Sequence, residues 1–100
     1  IYKNKNLFDK SNIIFDGNKI LLYDKVNLNK EMNYIDYGLS ILNKTLFKDK
    51  KINQNFDLGE LFKTLSYSNK LNGIEIKKRF YEIGSFKGIE DTSEFFNMKN

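Results

Sequence analysis

One hundred residues, with a hydrophobic share of 40% and 15 aromatics, suffice for one small domain with a modest core or for a piece of a larger one. Cys and His are both absent, which removes disulfides, zinc–thiolate sites, cysteine nucleophiles and the commonest general base. The net charge of +4 comes from lysines interleaved with acids, not from Arg clustered on one face as a nucleic-acid surface would have.

Residues 12 to 24 predict a β-hairpin: Ile13, Ile14 and Phe15 lead into Asp16-Gly17-Asn18, and Ile20 to Tyr23 return. Asp-Gly between apolar runs is a strong hairpin signal, because Gly tolerates positive φ in the turn. Residues 26 to 33 are polar and unpatterned, a loop. From Tyr34 to Leu42, the residues Ile35, Tyr37, Leu39 and Ile41 alternate as in a strand. Gly38 in its middle suggests close approach by a ligand or another backbone. Residues 43 to 55 are rich in Lys and Asn, with Leu46 and Phe47 as a short helical anchor.

Residues 57 to 68 predict an amphipathic helix, with Asp57 as N-cap and Leu58, Leu61, Phe62 and Leu65 at i, i+3, i+4 and i+7. Asn72-Gly73 then turns into a short strand with Ile74 and Ile76, and Phe80 to Ile83 forms a second. Ser85 caps a last helix that buries Phe86, Ile89 and Phe96. The order is hairpin, strand, helix, strand, strand, helix, without internal repeat, and an α/β layered sheet is expected. Such a sheet would leave exposed edges at this size, so it fits better as part of something larger. The chain begins at Ile1 rather than Met, and a start upstream is expected.

With 16 Lys to one Arg, 14 Asn, 11 Ile and neither Ala nor Pro, the composition is that of AT-rich coding. No nucleic-acid partner is expected. No apolar run approaches the ~20 residues that span a bilayer, and no charged segment precedes an apolar leader. A soluble, cytoplasmic protein without a membrane partner is expected.

Three motifs carry a family resemblance. Asn33-Tyr34-Ile35-Asp36-Tyr37-Gly38-Leu39-Ser40, Phe56-Asp57-Leu58-Gly59-Glu60-Leu61 and the run from Arg79 to Ile89 occur in that order. Together they resemble the C-terminal half of sugar-1-phosphate nucleotidyltransferases, the sugar-nucleotide pyrophosphorylases, nearest the heptose-1-phosphate and mannose-1-phosphate branch. The resemblance covers about Ser11 to Phe96. It implies the C-terminal portion of a Rossmann-like, GT-A type sheet with flanking helices over residues 1–100. It also implies NMP transfer from an NTP to a sugar 1-phosphate, with pyrophosphate as the other product.

The resemblance implies that Glu82, at the end of an apolar run before Gly84-Ser85, helps hold Mg²⁺, although the family more often has Asp there. By itself Glu82 reads as a solvated or ion-paired carboxylate. Asp24-Lys25 sits where many members have Glu-Lys-Pro, so Lys25 would meet the substrate phosphate; here Val26 replaces the Pro, and an ordinary surface lysine is the alternative. Asp36 and Tyr37 would reach sugar hydroxyls, with Tyr37 equally suited to the core. Gly38 would let the sugar lie against the strand, or else mark a β-bulge. Asp57 would meet the sugar from a helix start, or simply cap that helix. No side chain acts as a nucleophile in such a reaction.

The family's Gly-rich nucleotide loop is missing, because the six glycines are dispersed. The N-terminal half of the same domain is therefore an expected partner, and the piece alone should be inactive. A small non-catalytic α/β binding module is the alternative, and a weak nucleic-acid binder acting through scattered lysines is a third.

Overall fold

A computed structural model of the chain describes residues 1–49 and 55–99. The fold is a small α/β arrangement of a four-stranded antiparallel sheet and two α-helices. The strands are β1 (Tyr2–Lys3), β2 (Ile13–Phe15), β3 (Ile20–Tyr23) and β4 (Tyr34–Ile35), in the spatial order β1-β4-β2-β3. A 3₁₀ turn covers Lys44–Phe47, α1 spans Leu58–Tyr67 and α2 spans Phe86–Lys99. No helix among the described residues is long and apolar enough to cross a membrane.

The hairpin forms where the sequence places it. Asp16 Oδ1 accepts from the N–H groups of Asn18 (2.9 Å) and Lys19 (2.7 Å), while Gly17 takes φ +104°. The register slips between Ile14 and Phe15, so β3 carries one extra residue opposite β2. Helix α1 also starts as expected, with Asp57 Oδ1 accepting from Gly59 N–H at 2.7 Å. It stops at Asn69, whose φ of +55° lets the Lys70 N–H return to the Leu65 carbonyl at 2.9 Å.

Helix α1 covers the hairpin. Phe62 packs with Ile13, Ile20 and Tyr23 in the core, its ring edge-on to Tyr23 at 5.2 Å between centroids. Two polar links hold the same contact. The buried Ser66 hydroxyl accepts from Tyr23 N–H at 3.1 Å, and Lys63 Nζ lies 3.1 Å from Asp24 Oδ2.

Of the other predicted strands, one is cut short and two are absent. The alternation from Tyr34 to Leu42 gives only the two-residue β4. Asp36 Oδ1 takes Gly38 N–H at 2.7 Å and Gly38 adopts φ +81°, which turns the chain off the sheet and leaves Leu39 83% and Ile41 97% exposed. The Ile74–Ile76 stretch divides its bonds between two partners. Leu71 O and Gly73 N–H meet the hairpin at Ile20 and Asn18, and then Ile74 O and Ile76 N–H meet Ile1, so one bridge at Asn72 is all that forms. Phe80 to Ile83 pairs with no strand among the described residues, although the Phe80 ring packs on Tyr2 of β1. The short helical anchor at Leu46 and Phe47 appears as the 3₁₀ turn, and the rest of that expectation, at 50–54, lies outside the described residues.

Helix α2 also presents the wrong face for the prediction. Phe86 is 91% exposed, and Ile89 and Phe96 are open to solvent. The contacts come instead from Asp91, Thr92 and Phe95, which meet Arg79, the Glu82 carbonyl and Tyr81.

Asp24 gives a pH dependence. N–H donors of Asn27 and Val26, with Lys63 beside them, hold its carboxyl well below the ordinary carboxylate range. A depressed folded-state value stabilises the fold above the unfolded value, and that contribution is lost as pH falls toward the folded one. Urea titrations should therefore show stability falling below about pH 4. Asp24→Asn should be less stable than wild type at pH 7, with the gap closing toward pH 2. A gap that does not change with pH would show that Asp24 contributes nothing through its charge.

Candidate functional site

Two recesses flank the loop from Asn4 to Ser11, and that loop is built by its own side chains. Buried Asn4 donates through Nδ2 to Asp9 O (2.6 Å) and Ser11 Oγ (3.1 Å), and its Oδ1 accepts from Phe8 N–H at 3.2 Å. Asn6 and Ser11 bond each other twice, main chain to side chain, at 2.7 and 3.0 Å. Lys5 and Asn6 sit at φ +48° and +59°, a left-handed pair that reverses the chain. This knot sends Leu7 and Phe8 to one side and Asp9 and Lys10 to the other.

The larger recess has a volume of about 490 Å³. Its floor is buried Asn12 and Ile35, and its rim carries Asp9, Lys10, Lys25, Leu28, Asp36 and Gly38. Asp36 is held in place: Oδ2 accepts from the Tyr23 hydroxyl at 3.1 Å and Oδ1 from Gly38 N–H. Burial, then the Asp36 charge, pushes the Tyr23 phenol well above its usual range, so it remains a donor to Asp36. Lys25 Nζ is exposed, 5.8 Å from the Tyr23 ring centroid. Two lysines, a fixed carboxylate and a carboxamide around a shallow bowl suit a polyhydroxylated ligand that carries an anionic group.

The smaller recess, about 290 Å³, is lined by Leu7, Phe8, Arg79, Phe80, Tyr81, Glu82, Lys87, Gly88 and Asp91. Arg79, the chain's only arginine, lies 3.8 Å from the Phe8 ring centroid and 4.6 Å from that of Tyr81. Asp91 pairs with both Arg79 and Lys87 and neutralises one of the two cations. Glu82 has no cation partner among the described residues. Its Oε1 accepts from Ser85 Oγ at 2.6 Å and its Oε2 from Gly84 N–H at 2.7 Å, and these donors hold its carboxyl below the ordinary range, the Ser85 hydroxyl most. Ser85 Oγ in turn accepts from Gly88 N–H at 2.9 Å, so Ser85 and Glu82 together close the start of α2. Tyr2, Phe8, Phe80 and Tyr37 form an aromatic string, of which Phe8 and Phe80 line the smaller recess.

No protein-family model, curated protein or solved structure matches this chain.

Of the residues singled out from sequence, Lys25, Asp36 and Gly38 come together on the larger recess. Tyr37 turns away to Phe80, with 6.4 Å between ring centroids. Asp57 is the α1 cap and lines neither recess. Beyond its chain neighbours, a side chain at Gly38 would meet no atom of the described residues within 4 Å, so its φ of +81° explains the glycine. Asp24 is buried, serves Val26, Asn27 and Lys63, and lines neither recess. Glu82 faces the smaller recess from a helix start rather than from a strand end. Asn12 and the Asn4–Ser11 knot were missed, although the Asn/Asp/Ser content of residues 4–12 is the signal of self-bonding turns.

Glu82 accounts for Gly88. A Cβ at Gly88 would overlap the Glu82 carboxylate and approach the Glu82 carbonyl oxygen to 2.5 Å. Gly→Ala inside a helix ordinarily stabilises by about 1 kcal/mol. Gly88→Ala should instead lower the melting temperature. A rise would show that the Glu82 carboxylate does not fill that gap.

Proposed function

We propose that this chain is the sugar-phosphate-binding, C-terminal portion of a nucleotidyltransferase that makes a nucleotide sugar and pyrophosphate from an NTP and a sugar 1-phosphate. The observation that carries it is the convergence of Lys25, Asp36 and Gly38, distant from one another in chemistry and named from motifs, on one recess. The antiparallel strands then form one edge of a larger Rossmann-like, GT-A type sheet, and an N-terminal half of the domain supplies the nucleotide-binding strands. The exposed Leu39, Ile41, Phe86 and Ile89 side chains support this, as apolar surface available to that half. The reading also carries a cytoplasmic location and small-molecule partners, without nucleic acid or membrane.

In that reaction a phosphate oxygen of the sugar 1-phosphate attacks the α-phosphorus of the NTP and the bond to pyrophosphate breaks. Lys25 meets the anionic group of the sugar phosphate at the rim, and Asp36, oriented by Tyr23, meets its hydroxyls. Catalysis is positioning and electrostatics, so the absence of a nucleophilic side chain is no obstacle. Glu82 fits as the carboxylate that would hold Mg²⁺, since it lines a recess, has no cation partner among the described residues and retains lone pairs. Because Glu82 and Lys25 line different recesses, an ion held at Glu82 would offset charge on a phosphate of the bound nucleotide and not on the group that Lys25 meets.

A second reading, a non-catalytic α/β binding module, draws on the capping roles of Glu82 and Asp57, which serve the fold without any ligand. Titration of the complete protein with a sugar 1-phosphate, with and without Mg²⁺, separates the two: only the enzyme reading expects Mg²⁺-dependent binding.

Glu82→Gln in the complete enzyme should cut turnover by orders of magnitude with the fold retained, because Gln keeps one acceptor for the α2 cap but not the charge. Near-normal turnover would remove Glu82 from the reaction. Lys25→Met should raise KM for the sugar phosphate roughly tenfold or more, the cost of one charge-assisted contact. An unchanged KM would return Lys25 to the ordinary surface.

A further inference from the structure

Arg79 carries more hydrogen-bonding capacity than the fold uses. Its guanidinium lies over the Phe8 ring, 3.8 Å from the centroid, and over the Tyr81 ring at 4.6 Å. Both rings are held in turn, Phe8 by its N–H on Asn4 Oδ1 and Tyr81 by stacking on Phe95. Contact of this kind takes up the flat face of the guanidinium and leaves its edge, where the N–H donors lie. Nη2 donates to Asp91 and Nε is buried without a partner, whereas Nη1 makes no bond among the described residues and is not buried. The side chain is 31% exposed and lines the smaller recess.

One carboxylate serves two cations here. Asp91 pairs with Arg79 through Oδ2 and with Lys87 Nζ through Oδ1 at 2.7 Å, and the Lys87 side chain is 77% exposed on the same recess. Arginine frequently meets a carboxylate or phosphate with two parallel bonds, but Arg79 gives Asp91 only one. The other carboxylate on the recess does not take up the rest, because the Glu82 oxygens accept from Ser85 and Gly84. Arg79 and Lys87 balance Glu82 and Asp91 in charge, so a cation at Glu82 would leave the recess positive and favour an anion beside it. At about 290 Å³ the recess has room for phosphate groups rather than for a whole nucleotide.

We propose that Arg79, with Lys87 beside it, anchors the pyrophosphate portion of the nucleotide in the smaller recess, with Nη1 donating to a phosphate oxygen. The inference rests on the function proposed above and adds to it the residues that hold the departing group. A guanidinium already fixed by two rings loses little freedom when it binds, and its planar fork matches phosphate oxygens as an ammonium does not. Asp91 then acts in two opposed ways. It secures α2 through Arg79, and it repels an anion that approaches the same two cations. A purely structural Arg79 would show only the first effect.

The test is calorimetric titration of the complete protein with inorganic pyrophosphate in the presence of Mg²⁺, with a melting temperature for each variant. Arg79→Lys keeps the charge that Asp91 pairs with, and should bind about tenfold more weakly than wild type. Asp91→Asn should melt below wild type yet bind about tenfold more tightly, because the fold loses an ion pair while the ligand loses a like charge. Lys87→Met, on an exposed side chain, should weaken binding about threefold and decides the matter if Asp91→Asn unfolds. Lys25→Met should leave pyrophosphate affinity unchanged, and a loss there equal to that of Arg79→Lys would overturn the assignment to the smaller recess. Wild-type binding that no folded variant alters would overturn the role of Arg79 while leaving the proposed function standing. So would a protein that binds sugar 1-phosphate with Mg²⁺ but not pyrophosphate. Failure to bind either ligand would overturn the proposed function, and the role of Arg79 with it.

Discussion

Tyr23 is where the sheet, helix α1 and the larger recess are joined. Its ring is buried against Phe62, its N–H bonds the Ser66 hydroxyl, and its own hydroxyl bonds Asp36. Two of the four strands are only two residues long, and a sheet so small holds together only when one face is covered. Helix α1 provides that cover, and Tyr23 is its main point of attachment. The hydroxyl extends the same attachment to Asp36, whose carboxylate it fixes on the recess rim. Core packing and site geometry are thus consequences of one side chain.

Helix α2 is held differently. It meets the body of the fold through residues 79 to 82, by an Arg79–Asp91 ion pair, by Tyr81 stacked on Phe95 at 4.3 Å, and by the Thr92 hydroxyl on the Glu82 carbonyl. Arg79 gains from its setting between two aromatic rings, which desolvate the guanidinium while their faces attract it. No core residue comes from α2 itself, and its one buried position is Gly88. An element with so little buried apolar surface is the first expected to open locally. The carboxylate of Glu82 lies at this weaker junction, close to the positive end of the helix, where negative charge is favoured.

The two recesses therefore differ in character. The larger one is carved from the sheet, with Asn12 and Ile35 fixed by strand hydrogen bonds, and it can discriminate by geometry. The smaller one lies between the 79–82 segment and a peripheral helix, and its carboxylate is shared between capping and any ligand. A site that needs both would bind on the rigid side and adjust on the other.

Much of the local structure was legible in the sequence. Asp16-Gly17 determines the hairpin and Asp57 the start of α1, because each signal is satisfied by backbone groups two or three residues away. Asp36 and Gly38 meet the recess together because the Asp36 carboxylate bonds the Gly38 N–H two residues on, whereas Lys25 joins them only through the fold. Other features needed the tertiary structure. Strand β4 ends at Ile35 because Asp36 bonds back to Gly38 and Tyr37 has Phe80 to pack on, not because the alternating pattern stops. Phe80 to Ile83 is not a strand because it makes no backbone ladder among the described residues, although the Phe80 ring packs on Tyr2 of edge strand β1, and no sequence pattern records which pairings the fold makes. Asn12 looks like any of the 14 asparagines until the fold buries its oxygen without a partner. Caps and turns are settled between near neighbours in the chain, whereas strand length, burial and pairing are settled by what the rest of the chain brings across.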